Sequence, residues 1–431
     1  MRKLIVLFIL AALLLSSCST PAPAPETIKI TWWSEVATEI QYPHHSVGDF
    51  EQGELGDIIV GMWHEAYPEF DNVEVEVLPA GYAGGDRDPL VDAMIAAGQP
   101  PDLIDGYAGR YTSFLDAAID LDPYLSQEQK DSLYYYEPGL NYMALVGTVE
   151  YGLVNATVLK SVGIEPPEAW SWVSKEEFVS WAEPLKEAGL WLACIHGAGR
   201  SSQQWNWAWF GNAGLQVWED GYTGIALNSP EGVAVMEELV GWQEAGYIVP
   251  GAAALTDGDC AAQYWALNKT AYFQGGRLAF LSMHDAAVES GDIPERPELV
   301  PVFGIGADGG NVETQQFTNI QFVTMFAAEE ARAPAVSLAM FMNSGPYVSE
   351  LMSAVPNASY QIEKCGNTEY GEAAVIEYAK DHNMDSGTFT PLYNATRLTF
   401  SEYFGAALRG DMTPAEALAG FEADVEALIA Q

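Results

Sequence analysis

A chain of 431 residues exceeds what one hydrophobic core of about 100 to 200 residues holds, so two domains are expected. Acidic residues outnumber basic ones 60 to 18, giving a net charge of −42, while 49% apolar and 12% aromatic content is that of a globular protein. A surface this poor in cations repels phosphate polymers and anionic headgroups, which argues against nucleic acid as a partner and against a peripheral membrane role.

In chain order, Arg2 and Lys3, the apolar run Leu4 to Leu15 and the small Ser16 and Ser17 are the three parts of a secretory signal. Crossing a bilayer as a helix takes about 20 apolar residues, so 1–17 reads as a removable address and not a span. Leu15-Ser16-Ser17-Cys18 resembles the lipobox of bacterial lipoproteins, which implies lipidation of Cys18 and retention on the outer face of the cell membrane, extracellular or periplasmic. Small residues alternating with proline up to Pro25 make 18–25 a tether.

Ile28 to Trp33 then reads as a first strand, followed by a helix near Ile58 to Tyr67 with Ile59, Met62, Trp63 and Ala66 on one face. Val73, Val75 and Val77 alternate with Glu74 and Glu76 in a half-buried strand. Asp88 and Pro89 open a helix that Gly98 ends, and Pro100 to Ile104 restarts a strand. This order defines an α/β lobe with a largely parallel sheet. A second unit follows Tyr151. Ser174 and Glu177 form a capping box for a helix lined by Phe178, Trp181 and Leu185, and Trp191 to Ile195 reads as a strand. Ser229 caps a helix with Pro230 in its first turn that ends at Gly246. Further strands are expected at Leu278 to Leu281, Leu299 to Phe303 and Asn319 to Phe326. The remainder is helical: Ala331 to Asn343, Tyr370 to Lys380, Asn394 to Leu408, and a last helix capped by Thr413 and Glu416.

Besides Cys18, Cys194, Cys260 and Cys365 allow one disulfide in an oxidising compartment, and the spacing does not choose among the three pairings. No Cys/His spacing suggests a metal site, and neither Tyr134-Tyr135-Tyr136 nor His44-His45 with Asp49 and His64 has the geometry of one. No cofactor is expected. A nucleophile elbow, HExxH, phosphate loop and dinucleotide fingerprint are all missing, which argues against an enzyme. The alternative, a secreted glycosidase, needs two carboxylates flanking one bond, and no motif selects such a pair.

Several segments, in order, resemble the carbohydrate-binding family of extracellular solute-binding proteins of ABC importers, which includes maltose-binding protein. They are Ile30-Thr31-Trp32-Trp33, Trp63 to Phe70, Met94 to Asp102, Leu121 to Leu125, Gly163 to Pro167, Phe273 to Phe280 and Thr413 to Leu418. The tryptophan that the family places after its Phe-Gly-basic segment is absent, and His284-Asp285 stand near its place. The resemblance implies an α/β fold of two lobes joined by a hinge, with a helical C-terminal tail. Lobe 1 is expected from 26–148 and 315–360, and lobe 2 from 149–314 and 361–431. It further implies a monomer that closes over a sugar or oligosaccharide and delivers it to permease subunits, touching the membrane only through its anchor.

A sugar has an apolar face and a rim of hydroxyls, so aromatic rings beside carboxylates and amides are the candidates. Trp205, Trp207 and Trp209 alternate among amides, and in a helix they spread around the axis, so at least one is expected to bind. Trp32 and Trp33 end the first strand, where open α/β sheets place ligands, one toward the cleft and one toward the core. Asp105 and Tyr107 follow another strand end, Tyr82 lies in a glycine-rich loop, and His284 and Asp285 are expected to end the strand at 278–281. Gln316, beside Gln315, lies near the return crossing between lobes.

Overall fold

The computed structural model describes residues 27–34, 54–79, 89–133, 136–199, 202–274, 279–307, 309–343, 358–359, 373–388, 390 and 392–430. The lipobox cysteine Cys18, the Tyr82 loop and Cys365 lie outside them.

β-Branched and aromatic residues make Ile28–Ser34 a strand (β1), and Val73–Pro79 (β2) and Leu103–Tyr107 (β3) pair with it in parallel, Trp32 lying opposite both Val77 and Leu103. Met143–Val149 (β4) leads through Glu150 and Tyr151 into Gly152–Asn155 (β5), which belongs to another sheet. Trp172–Val173 (β6), Tyr272–Gln274 (β7), Leu299–Val302 (β8) and Gly304–Ile305 (β9) follow. Val312–Val323 (β10) then returns, running antiparallel to both β3 and β4, and Ala358–Ser359 (β11) and Asn383–Asp385 (β12) complete the set. The first sheet has the order β11-β4-β10-β3-β1-β2, with β12 on β10; the second is β7-β5-β8, and β6 pairs with β9.

Side chains of a strand point alternately to opposite faces, and both faces of the first sheet are covered, so both are apolar. Ile30, Trp32, Leu103 and Val323 pack with Ile59 and Trp63 of the Glu54–Ala66 helix and with Ala335 and Leu338 of the Glu329–Met342 helix. Trp33, Ile104, Ile320 and Phe322 pack on the other side with Val91, Tyr111 and Phe114. Trp32 and Trp33 are therefore both buried, at 0% and 5% exposure. The expectation that one of them faces a cleft is corrected here, because each face of the sheet has its own layer.

The second body is built around Val154, Phe178, Trp209 and Tyr272. Ser174 caps its Lys175–Ser180 helix and Ser229 caps Pro230–Glu244, each side-chain oxygen accepting an otherwise orphaned N–H. The C-terminal helices Tyr393–Arg409 and Pro414–Ile429 contribute Phe400, Phe404 and Phe421 to the same core. A disulfide joins Cys194 to Cys260, with Cα atoms 5.7 Å apart, which selects one of the pairings the sequence left open.

Three strand assignments need correction. Residues 191–195 make only isolated bridges, because the partner changes from Thr270 at Trp191 to Ile248 at Ala193 before a ladder can form. The segment read as a strand at 278–281 belongs, from Ala279, to a helix that runs to Ser290; a short apolar run fits either period, and His284 and Ala287, three apart, are its buried face. The strand expected at 319–326 begins at Val312 and ends at Val323.

Candidate functional site

Register places the C-terminal ends of β1 and β3 at one edge of the first sheet, with Ser34 opposite Asp105, and Tyr107 opposite Asn319 of β10. Asp105 and Ser34 are fully buried there. The Trp32 indole N–H donates to the Asp105 carboxylate, so two of the expected residues meet. Trp33 Nε1 donates to Tyr111 Oη at 2.8 Å on the opposite face.

Tyr107 reaches from this edge to the second body. Arg397, on the Tyr393–Arg409 helix, donates from Nη1 to Tyr107 Oη at 3.1 Å, across 290 residues of chain. Its guanidinium carbon lies 5.8 Å from the Tyr107 ring centroid and 5.0 Å from that of Tyr393, and the two rings are 6.1 Å apart. A buried guanidinium between tyrosine faces gains cation–π attraction while keeping its donors in a fixed plane. The approach is close enough to require glycine on the first-lobe side: a Cβ at Gly109 would stand 2.7 Å from Tyr393 Cδ1 and 2.9 Å from Tyr107 Cε1. Trp207, fully buried, packs edge-on against Tyr393 at 6.4 Å and against Phe400 at 5.7 Å. Trp207 Nε1 and Thr396 Oγ1 are buried without a hydrogen-bond partner among the described residues, so uncommitted polar capacity lies against this cluster.

The cluster thus gathers Tyr107 and, through Tyr393, Trp207, while Trp32 and Asp105 meet each other two residues back along β3. The other candidates lie elsewhere or cannot be placed as side chains. Trp209 sits 5.5 to 6.0 Å from Phe178, Trp242 and Tyr272, where protein covers its ring. Trp205 lies on the Ser202–Asn212 helix and Gln316 on β10, with side chains outside the described residues. His284 packs on its helix with Nε2 3.0 Å from the Trp265 carbonyl, and burial pushes its imidazole down to about 4, with Arg296 adding to the effect. Asp285, next along, lies at the surface with Arg296 Nε 3.8 Å away. His284 and Asp285 therefore do not end a strand, since the helix turns one inward and the other to solvent.

Arg397 and Tyr393 were not anticipated. Their one sequence signal is an arginine four residues after a tyrosine, on one helical face, in a chain with so few cations. Among the described residues no group of three or more His, Cys, Asp or Glu is placed to hold a metal ion, and no helix is long and apolar enough to cross a membrane.

A parallel-edged mixed sheet whose strand ends meet a second α/β body, with the chain crossing between the two more than once and helices closing its C-terminus, is the two-lobed periplasmic-binding-protein fold. Solved structures share it across nearly the whole chain. A cyclic α-maltosyl-1,6-maltose binding protein from Arthrobacter globiformis is similar with a TM-score of 0.68 at 15% identity, over 94% of this chain and 99% of that one. An ABC transporter solute-binding protein from Thermotoga lettingae, bound with α-D-tagatose, gives 0.68 at 15% identity over 94% and 100%. An ABC substrate-binding protein from Listeria monocytogenes in complex with cycloalternan gives 0.65 at 15% identity over 94% and 100%. At such identities the likeness is one of fold. No protein-family model matches the chain, and no curated protein sequence does.

Proposed function

We propose that the chain is the extracellular substrate-binding subunit of an ABC importer, which captures a sugar or oligosaccharide between its lobes and hands it to permease subunits without chemical change. The observation that carries this reading is the contact of Arg397 and Tyr393 with Tyr107, which spans the two bodies with two aromatic rings and a rigid fork of N–H donors. Rings match the apolar face of a sugar and the fork matches its hydroxyls. Solved structures of similar fold hold α-D-tagatose and cycloalternan, and another is a cyclic α-maltosyl-1,6-maltose binding protein, which supports the ligand class.

In this reading Asp105, Tyr107, Tyr393 and Arg397 hold the ligand, with Trp205 and Gln316 as further contacts, and Trp32 orients Asp105. Trp207, which backs Tyr393, Trp209, Trp33, His284 and Asp285 support the fold. The lobes are 26–148 with 315–360, and 149–314 with 361–431. Packing of the C-terminal helices against Val154, Phe178 and Tyr272 supports that division. The Cys194–Cys260 disulfide accords with export, and lipidated Cys18 would keep a monomeric receptor beside its permease.

A thermal-shift screen against mono- and oligosaccharides tests the reading, since a ligand at a hundredfold over its dissociation constant adds about 2.7 kcal/mol of stability. Saturable binding with the sugar recovered intact is expected. Released reducing ends would favour a glycosidase instead.

A further inference from the structure

Asp385 ends β12, opposite Thr314 of the crossing strand β10. The Tyr222 hydroxyl donates to one of its carboxylate oxygens, and the Gly387 N–H donates to the other at 2.9 Å. Tyr222 has φ 58, a left-handed conformation that a bulky residue adopts only where its surroundings impose it, and such residues gather at ligand clamps. Trp218 stands edge-on to Tyr222 at 5.7 Å and donates from Nε1 to the Ser386 carbonyl at 3.1 Å. A Cβ on Gly387 would overlap the Trp218 indole, so the loop lies directly on that ring. Burial holds the Asp385 carboxyl above its usual range, and burial together with the Asp385 carboxylate raises Tyr222.

From Asp385 the chain runs through Ser386, Gly387, Thr388 and Thr390 to Tyr393 and Arg397. At one end this strip is paired to the crossing strand through Asp385 and Thr314, and at the other it meets the first lobe where Arg397 reaches Tyr107. Within it Ser386 Oγ and Thr388 Oγ1 are buried, at 0% and 1% exposure, without a hydrogen-bond partner among the described residues. Buried hydroxyls are almost always paired, so a strip carrying such groups between two aromatic clusters is suited to a polyhydroxyl ligand.

Building on the proposed sugar site, we infer that Trp218, Tyr222 and Asp385 form a second saccharide subsite, next to that of Tyr107, Tyr393 and Arg397, and that the ligand is therefore an oligosaccharide of two or more units. The Tyr222 ring supplies the apolar wall and the Asp385 carboxylate accepts from sugar hydroxyls.

The test is calorimetric titration of the full mature chain with glucose, galactose and mannose and with their linked di- and trisaccharides. A di- or trisaccharide is expected to bind at least tenfold more tightly than its component monosaccharide. Asp385→Asn and Tyr222→Phe are each expected to weaken the oligosaccharide about tenfold while changing the monosaccharide less than twofold. Tyr222→Phe keeps the ring and decides the matter if Asp385→Asn fails to fold. Variants that bind the oligosaccharide like wild type, or that lose both sugars equally, would overturn the inference, as would a monosaccharide bound as tightly as its dimer. A wild-type chain that binds no sugar in the panel would overturn the proposed function itself, which is a different outcome.

Discussion

Arg397 Nη1 donates to Tyr107 Oη at 3.1 Å, and through that bond the Tyr393–Arg409 helix of one lobe meets a strand end of the other. The guanidinium is also stacked by Tyr393, so charge, planarity and the fixed fork of donors all matter. Arg397→Lys keeps the charge and loses the plane. It should weaken sugar binding at least tenfold in calorimetry, with a loss of fold stability of about 1 kcal/mol or less. Equal affinity in the variant would place Arg397 among the structural residues.

Gly109 offers a steric test of the same contact. A methyl group there would stand 2.7 Å from Tyr393 Cδ1, so Gly109→Ala must displace Tyr393 or hold the lobes apart. Ligand affinity should fall while the urea midpoint of the ligand-free protein stays close to wild type.

Cys194 and Cys260 are separated by 66 residues. In the chain-entropy account, closing a loop of that length in the unfolded state contributes about 4 kcal/mol. Replacing both cysteines by serine should lower the free energy of unfolding by a comparable amount in urea titrations. An unchanged midpoint would mean that residual structure already restrains this segment in the unfolded chain.

His284 gives a pH dependence whose sign is fixed by burial. Its imidazole is pushed down to about 4 in the folded protein from an ordinary 6.5. The unfolded chain therefore takes up the proton first as pH falls. Stability from the neutral ring is complete above about pH 6.5 and is lost progressively as the pH drops through about 4, up to about 3 kcal/mol. Urea titrations between pH 7 and 4.5 should show a steeper loss for wild type than for His284→Gln. Parallel curves would contradict the assignment of His284 as a buried neutral group.

Much of the secondary structure of both lobes was legible in the sequence because its signals are local. The valines at 73, 75 and 77 alternate, Ile59 and Trp63 share a helix face, and Ser174, Ser229 and Thr413 cap the helices they precede. Residues 278–281 were misread because four apolar residues fit a helix or a strand equally well. The first half of β10 was missed because Val312-Glu313-Thr314 buries an acid where a strand pattern calls for apolar residues. At the candidate site, Asp105 and Tyr107 were found from their place at a strand end. Arg397, Tyr393 and the Tyr222–Asp385 pair were not, since a tyrosine and an arginine four apart on a helix name no partner and only tertiary closure brings Arg397 to Tyr107 or Tyr222 to Asp385. The tryptophan cluster shows the same limit: the alternation of Trp207 and Trp209 is plain, but burial among Phe178, Tyr272, Phe400 and their neighbours depends on chain far away.

The central claim is that two lobes close over a sugar, and small-angle X-ray scattering of the mature chain, with and without a saccharide selected by thermal shift, tests it most directly. The account predicts a smaller radius of gyration with ligand in wild type, and little or no contraction in Arg397→Lys at the same ligand concentration. A saccharide that binds and leaves the radius of gyration of wild type unchanged would contradict it.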